Sequence, residues 1–317
     1  MSILLLVIII PRSYTQSNLN LTVKTNRTAY YVGENVQICG NLTFDSEPVT
    51  DGLVAIEIND ARGTPIVLRT VTTGTRPQMA WYVYVGMVFA SDQQGNPKNN
   101  FYRGDLAYFN ITVVNNDIIP RVTLVTITAL DKNQVPMGSA SIKSTIPEDT
   151  YVRFIISIPI PSDAALGTAT AYVNAYTEWP MIQGTPYCPE RNATFNIISS
   201  GGASTEASAT TTIQQLSGNY NLTFKLPTQI PKGNFTAYVT SIYHGFEAFN
   251  STIFQVKMLG DITGDNRVNY LDLFQLAKAY GSKEGDTKYN PEADFNRDGN
   301  VNYLDLFVLA KNYGKSA

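Results

Sequence analysis

Asp261-Ile262-Thr263-Gly264-Asp265-Asn266-Arg267-Val268-Asn269-Tyr270-Leu271-Asp272 is followed 33 residues later by Asp294-Phe295-Asn296-Arg297-Asp298-Gly299-Asn300-Val301-Asn302-Tyr303-Leu304-Asp305. Each copy continues as Leu-Phe-x-Leu-Ala-Lys-x-Tyr-Gly. Calcium takes six to eight hard oxygen ligands, and a twelve-residue loop can turn its alternate residues inward to supply them. In the first copy Asp261, Thr263, Asp265 and Asn269 offer side-chain oxygens, Arg267 its backbone carbonyl and Asp272 a closing carboxylate. In the second the same places are held by Asp294, Asn296, Asp298, Asn302, Asn300 and Asp305. The sharp turn at the sixth place falls on Gly299 in one loop and on Asn266 in the other, the residue next best suited to left-handed backbone. Thr263 lacks the charge of an Asp or the amide oxygen of an Asn, so the first site is expected to bind more weakly. This repeat sets a small, helical, ion-binding end apart from everything before it.

Each loop runs into a short helix, and the twelfth place is Asp rather than the Glu of a calmodulin-type EF-hand. With no comparable helix ahead of either loop, the segment from Gly260 to Lys315 resembles a dockerin of type I. The resemblance implies two bound calcium ions and docking to a cohesin-like protein domain, read by the tenth and eleventh loop residues and the helix that follows. On this chain those are Tyr270, Leu271, Phe274 and Lys278, repeated as Tyr303, Leu304, Phe307 and Lys311. A second stripe, Leu273, Leu276, Ala277 and Tyr280 with its copy Leu306, Leu309, Ala310 and Tyr313, is expected to pack helix on helix. The first stripe is either additional core or, if exposed, the partner surface.

Upstream, Thr, Tyr, Val, Ile and Asn dominate, a composition that favours strands and turns. Strands are expected at Leu19–Lys24, Asn35–Phe44, Leu53–Asn59 and Pro65–Thr72, and again at Gly218–Pro227, Gly233–Tyr243 and Ser251–Lys257. The stretch from Lys24 to Val36 resembles the opening of a macroglobulin-type immunoglobulin-like domain, and Gly218 to Val239 its closing half. That resemblance implies one sandwich built from residues 17–76 and 208–258. Residues 77–199 would then form an inserted second sandwich, with strands at Ala80–Ala90, Leu106–Asn115, Val122–Leu130, Tyr151–Pro159, Thr168–Thr177 and Ala193–Ile198. Residues 200–207 read as the return linker, and 259–317 as the terminal unit. Three β-domains in simple tandem is the competing order. The expected fold class is mainly β, two immunoglobulin-like sandwiches followed by a small all-α calcium-binding domain.

Ile3 to Ile10 is an unbroken apolar run stopped by Pro11, too short to span a membrane but suited to the core of a signal peptide over residues 1–16; a truncated apolar strand is the alternative. No other segment could span a membrane. Asn-x-Ser/Thr sequons at Asn20, Asn26, Asn41, Asn110, Asn192, Asn221, Asn234 and Asn250 fit an exported glycoprotein, and Asn20, Asn41, Asn110 and Asn221 fall on the outward parity of expected strands. Cys39 and Cys188 are too few for a disulfide scaffold, and their spacing is compatible with one bridge or two thiols. A net charge of −3 gives no basic surface for a phosphate backbone, so nucleic acid is not an expected partner. Arg103-Gly104-Asp105 reads as a turn, and no catalytic arrangement can be built on His244, the single histidine. The function that follows is a non-catalytic, exported binding or adaptor protein at the cell surface. The alternatives are a structural surface protein with a calcium-stabilised cap, or an accessory subunit of a polysaccharide-degrading complex.

Overall fold

A computed structural model of the chain describes residues 18–75, 81–199 and 218–316. The expected signal peptide and return linker lie outside those residues. In chain order the first strands are β1 (Leu19–Leu21), β2 (Lys24–Thr25), β3 (Ala29–Tyr31), β4 (Asn35–Phe44), β5 (Glu47–Pro48), β6 (Leu53–Asn59) and β7 (Pro65–Thr72). Eight follow: β8 (Val83–Ser91), β9 (Asn100–Tyr102), β10 (Leu106–Asn115), β11 (Arg121–Leu130), β12 (Pro136–Ile146), β13 (Thr150–Pro159), β14 (Gly167–Tyr176) and β15 (Arg191–Ile198). The last are β16 (Asn219–Lys225), β17 (Gly233–Tyr243) and β18 (Phe246–Lys257), before helices α1 (Tyr270–Ala279) and α2 (Tyr303–Asn312).

One sandwich faces the sheet β1-β4-β16 against β3-β18-β17-β6-β7. The alternation in β4 is the reason: Val36, Ile38 and Leu42 are buried, while Asn35 and Asn41 on the opposite parity are exposed. Residues far apart in sequence meet on that strand, with Lys24 paired to Cys39 and Lys225 to Asn35. β17 likewise runs antiparallel to β6, Thr236 opposite Asn59. Tyr30, Phe224, Phe235 and Phe254 fill the space between the sheets. A second sandwich sets β13-β10-β8 against β12-β11-β14-β15-β9 around Phe101, Phe109 and Phe195, whose rings meet edge to face.

The two sandwiches are packed face to face. All seven residues of β6 are buried, including Glu57 and Asn59 on the side turned from the first core. Arg69 on β7 forms a forked ion pair with Glu190 (2.6 and 2.9 Å) and lies over the Tyr172 ring. Thr128 Oγ1 accepts the Leu68 N–H (3.0 Å), Asn174 donates to the Leu68 carbonyl (3.1 Å), and Thr240 donates to the Gly184 carbonyl (2.6 Å). A polar, hydrogen-bonded junction of this kind fixes the relative orientation of the sandwiches.

Four strands went unread in the sequence, the longest being β12. Its Gly138, Ser139, Ser141 and Lys143 carry little apolar alternation because it is an edge strand with one face in solvent. The structure also decides between the two readings of the cysteines and narrows that of the sequons. Cys39 and Cys188 are not bridged: Cys39 is half-buried in the first sandwich, and Cys188 packs in the core of the second. Asn110 keeps its outward parity but is only 6% exposed, because the loop after β8 folds over it and its amide donates to the Gly95 carbonyl (3.1 Å). It is removed as a glycan site. Asn20, Asn26, Asn41, Asn192, Asn221 and Asn234 are exposed, whereas Asn250 is half-buried and donates to the Leu21 carbonyl (2.8 Å).

Candidate calcium and docking site

The terminal module is two copies of one device that complete each other. Asn269 caps α1, its Oδ1 accepting the Leu271 N–H (2.8 Å), and the Asn269 N–H returns to Asp272 Oδ2 (2.8 Å). Asn302 and Asp305 build the same capping box on α2, with Leu304 N–H at 2.8 Å and Asn302 N–H at 2.9 Å. The other oxygen of each twelfth-place Asp reaches back across its loop. Asp272 Oδ1 accepts the N–H groups of Ile262 (2.9 Å) and Thr263 (3.0 Å), and Asp305 Oδ1 accepts that of Phe295 (2.8 Å). One carboxylate therefore starts the helix and draws the loop's first turn onto it.

The loops are also paired with each other's trailing segment. Val268 exchanges backbone bonds with Gly314 and Lys315 (2.8 and 2.9 Å), and Val301 with Gly281 and Ser282 (2.8 and 2.9 Å). Between them lies a core of repeat-related residues: Ile262 with Phe295, Val268 with Val301, and Leu276 with Leu309. Ala279 closes it on α1 and the half-polar Asn312 on α2.

The first loop gathers Asp261, Asp265 and Asp272 so that one oxygen of each lies within 4.8 Å of the others. Asp261 is held by the N–H groups of Gly264 (2.7 Å) and Asn266 (2.8 Å), and Thr263 Oγ1 bonds both Asp261 (3.3 Å) and Asp272 (3.0 Å). Burial first, and then the Asp272 and Asp265 charges, push the Asp261 carboxyl above its ordinary range, against the backbone donors that lower it. In the second loop Asp294 accepts from Gly299 N–H (2.9 Å) and from the Tyr289 hydroxyl (2.8 Å). Asp298 is engaged by Asn296 Nδ2 (2.9 Å), which with the backbone of Asn300 holds its carboxyl below the ordinary range.

Four carboxylates, Asp261, Asp272, Asp294 and Asp305, are between 0 and 2% exposed in this small module. Buried anions are costly without a counter-charge. The donor set around them is all oxygen and alternates along each loop, which fits a hard divalent cation of calcium type. Arg267 and Asn300, the expected carbonyl ligands, occupy the places where each loop turns into its short ladder. The sixth place is left-handed in both loops, φ 62° at Asn266 and 80° at Gly299.

Sequence reasoning missed the fourth place, which is left-handed too: Gly264 at φ 77° and Arg297 at φ 57°. Arg297 ties the second loop to the first sandwich, pairing with Glu34 (2.9 Å) and lying over the Tyr31 ring. Tyr31 belongs to the module's core: its ring meets Phe295 edge to face at 5.7 Å and its hydroxyl donates to the Glu292 carbonyl (3.1 Å). Lys257, the last residue of β18, pairs with Glu292 (2.8 Å).

The expected helix-on-helix stripe is corrected. Leu276 and Leu309 are buried, but Leu273, Ala277, Tyr280, Leu306, Ala310 and Tyr313 are exposed. Ten-residue helices clasped by loop ladders bury only a narrow strip, so most apolar side chains remain outside. Exposed with them are Tyr270 and Tyr303 (both 68%), Phe274 (58%) and Phe307 (68%), beside Leu271 and Leu304. Lys278 lies over the Phe274 ring, 4.3 Å from its centre. Lys311 stands exposed at the matching place on α2. Two copies of one aromatic and aliphatic face are thus presented to solvent.

The family to which this geometry belongs is recognisable among known proteins. Residues 259–313 match the dockerin type I domain family, and the terminal module is of that kind. No curated protein matches the chain. Among solved structures, a cohesin–X-dockerin complex from Acetivibrio cellulolyticus is 21% identical over 30% of this chain and 70% of its own, with a TM-score of 0.18. The C-terminal domain of wzt is 11% identical over 42% of this chain and 86% of its own (TM-score 0.33). A Paenibacillus cycloisomaltooligosaccharide glucanotransferase is 16% identical over 36% of this chain but only 14% of its own length (TM-score 0.28). Nothing about activity follows from likenesses this loose.

Proposed function

We propose that the chain is an exported, non-catalytic adaptor whose terminal dockerin module binds two calcium ions and docks to a cohesin-type domain. The carrying observation is the repeated exposed face, Tyr270, Leu271 and Phe274 on one helix and Tyr303, Leu304 and Phe307 on the other. Both helices begin at a calcium loop through a capping box, so metal and docking face are linked: the ion sets the loop, and the loop starts the helix. Isolated ten-residue helices are marginal in water, which makes the face depend on the metal. The bonded sandwich pair supplies a stiff body behind it. The exposed sequons support a location outside the cell, on a secreted or surface-attached protein.

The test is calorimetric titration of the full chain with recombinant cohesin domains, in calcium and in excess chelator. Binding is expected only in calcium, with Phe274→Ala and Phe307→Ala each weakening it by about 1–2 kcal/mol. Failure of every cohesin in a broad panel, with calcium bound and the module folded, would return the module to the role of a calcium-stabilised cap.

A further inference from the structure

A cleft of about 370 Å³ opens where the two sandwiches meet, with no residue of the terminal module in its walls. One wall comes from the first sandwich, with Asp51 before β6 and Tyr243 and His244 at the tip of the β17–β18 hairpin. The other comes from the second, with Trp81, Tyr82 and Tyr187. The hairpin tip is stiff: His244 (φ 50°) and Gly245 (φ 82°) are successive left-handed residues, the requirement of a tight primed turn. Tyr243 and His244 pack edge to face with centres 4.2 Å apart. The opposite wall is anchored by the Tyr187 hydroxyl, which donates to the Val122 carbonyl (3.1 Å). Junctions between packed domains are a favoured place for small-molecule sites, and this volume falls within their usual range of about 300–1,000 Å³.

We propose that this cleft binds a neutral saccharide, one or two pyranose rings long. Its walls carry five aromatic rings, Trp81, Tyr82, Tyr187, Tyr243 and His244, beside the aliphatic Leu53, Val83, Pro186 and Ile242. The polar edges of those rings suit a ligand with flat C–H faces and a rim of hydroxyls better than an acyl chain. The exposed Asp51 carboxylate offers it an acceptor, while the Thr177 and Thr185 hydroxyls that line it are bonded to each other (3.4 Å). An anion is disfavoured because Arg121, the cation at the cleft, is already paired through Nε and Nη2 with Asp117. The Trp81 indole N–H has no acceptor among the described residues, and Tyr82 is 67% exposed, so both are available to a ligand.

The experiment uses the full chain carrying Trp179→Phe, which leaves Trp81 as the single indole. The probes are cellobiose and N,N′-diacetylchitobiose, with sodium phosphate and octanoate as the anionic and aliphatic counterparts. A saturable change in Trp81 fluorescence with at least one disaccharide is expected, matched by titration calorimetry on the unsubstituted chain. Tyr82→Ala, which removes an exposed ring, should weaken that binding roughly tenfold. Asp51→Asn, also at an exposed position, should weaken it while circular dichroism stays unchanged. Saturation by octanoate or phosphate, no saturation by either disaccharide, or disaccharide binding untouched by both substitutions would overturn the proposal.

Discussion

The two candidate calcium loops are near copies in sequence and are not equivalent in the molecule. At the fourth place the first loop has Gly264, left-handed and with nothing within 4 Å of where a side chain would begin. The second has Arg297 in the same left-handed backbone, where a non-glycine residue is strained. What offsets that strain comes from the first sandwich: the Glu34 carboxylate, and the Tyr31 ring that β3 sends into the module's core. One loop therefore faces solvent, and the other is held between its own module and the body of the protein. A duplicated motif can thus acquire two roles through a neighbour that only one copy touches.

The largest expected effect is on the twelfth-place carboxylates. Asp305→Ala removes a proposed calcium ligand, the α2 capping box and the bond to Phe295 N–H together. It also loosens the loop that carries Arg297 and Phe295 onto Tyr31. Asp272→Ala removes the matching bonds in the first loop but leaves the docked loop intact. Both should lose calcium at the altered site, and Asp305→Ala should lose more helicity and more cohesin binding. Calcium calorimetry with far-ultraviolet circular dichroism on the full chain measures this. Equal losses from the two substitutions would erase the asymmetry.

A smaller effect is expected at the contact itself. Arg297 and Glu34 are partly exposed, with side chains 35% and 23% accessible, so their pairing is screened and worth less than about 1 kcal/mol. Arg297→Ala should lower calcium affinity of the second loop about threefold and leave the first unchanged. Arg297→Gly loses the same contacts but relieves the left-handed backbone, so it should recover part of that loss. Identical behaviour of the two variants would mean that the strain at φ 57° contributes nothing measurable. Removing calcium should in turn loosen the Tyr31 contact, seen as faster proteolysis between Met258 and Asp261; unchanged cleavage would separate metal from docking.

Much of this fold was legible because alternation is a local signal. Asn35–Phe44, Leu53–Asn59 and Pro65–Thr72 read as strands from their own residues, and so they are. The proposed ligand set rests on an equally local signal, oxygen at every second place of a twelve-residue loop, which is what a hard cation demands. What was hidden depended on partners distant in sequence. Glu57 lies in a strand that was legible, but nothing local signals that it is buried with its carboxylate accepting the Met181 N–H (2.9 Å) across the junction of the sandwiches. Arg297 gave no sign of its left-handed backbone, because Glu34 lies 263 residues away. The helices misled for a different reason. Apolar residues surround most of α1 and α2, so periodicity alone could not say that Leu276 would be buried while Leu273 and Tyr280 stayed exposed. That excess of exposed apolar surface is itself the mark of a face awaiting a partner.

The smallest effect expected is at the sixth place of the solvent-facing loop. Asn266 holds φ 62° where its counterpart Gly299 holds 80°. Asn tolerates left-handed backbone better than most residues but not as freely as Gly. The Asn266 N–H donates to Asp261 Oδ2 (2.8 Å), a bond that glycine would keep. Asn266→Gly therefore relieves backbone strain in the bound loop, while it adds freedom to the unfolded chain, and the two contributions oppose each other. The net change in first-site calcium affinity should stay within about threefold in either direction, the equivalent of about 0.6 kcal/mol. Thr263→Asp in the same loop adds a charged oxygen instead and should strengthen that site clearly, by about tenfold. Calorimetric titration of both variants resolves the two causes. If Asn266→Gly strengthened the site more than Thr263→Asp, backbone conformation rather than ligand charge would set the difference between the loops.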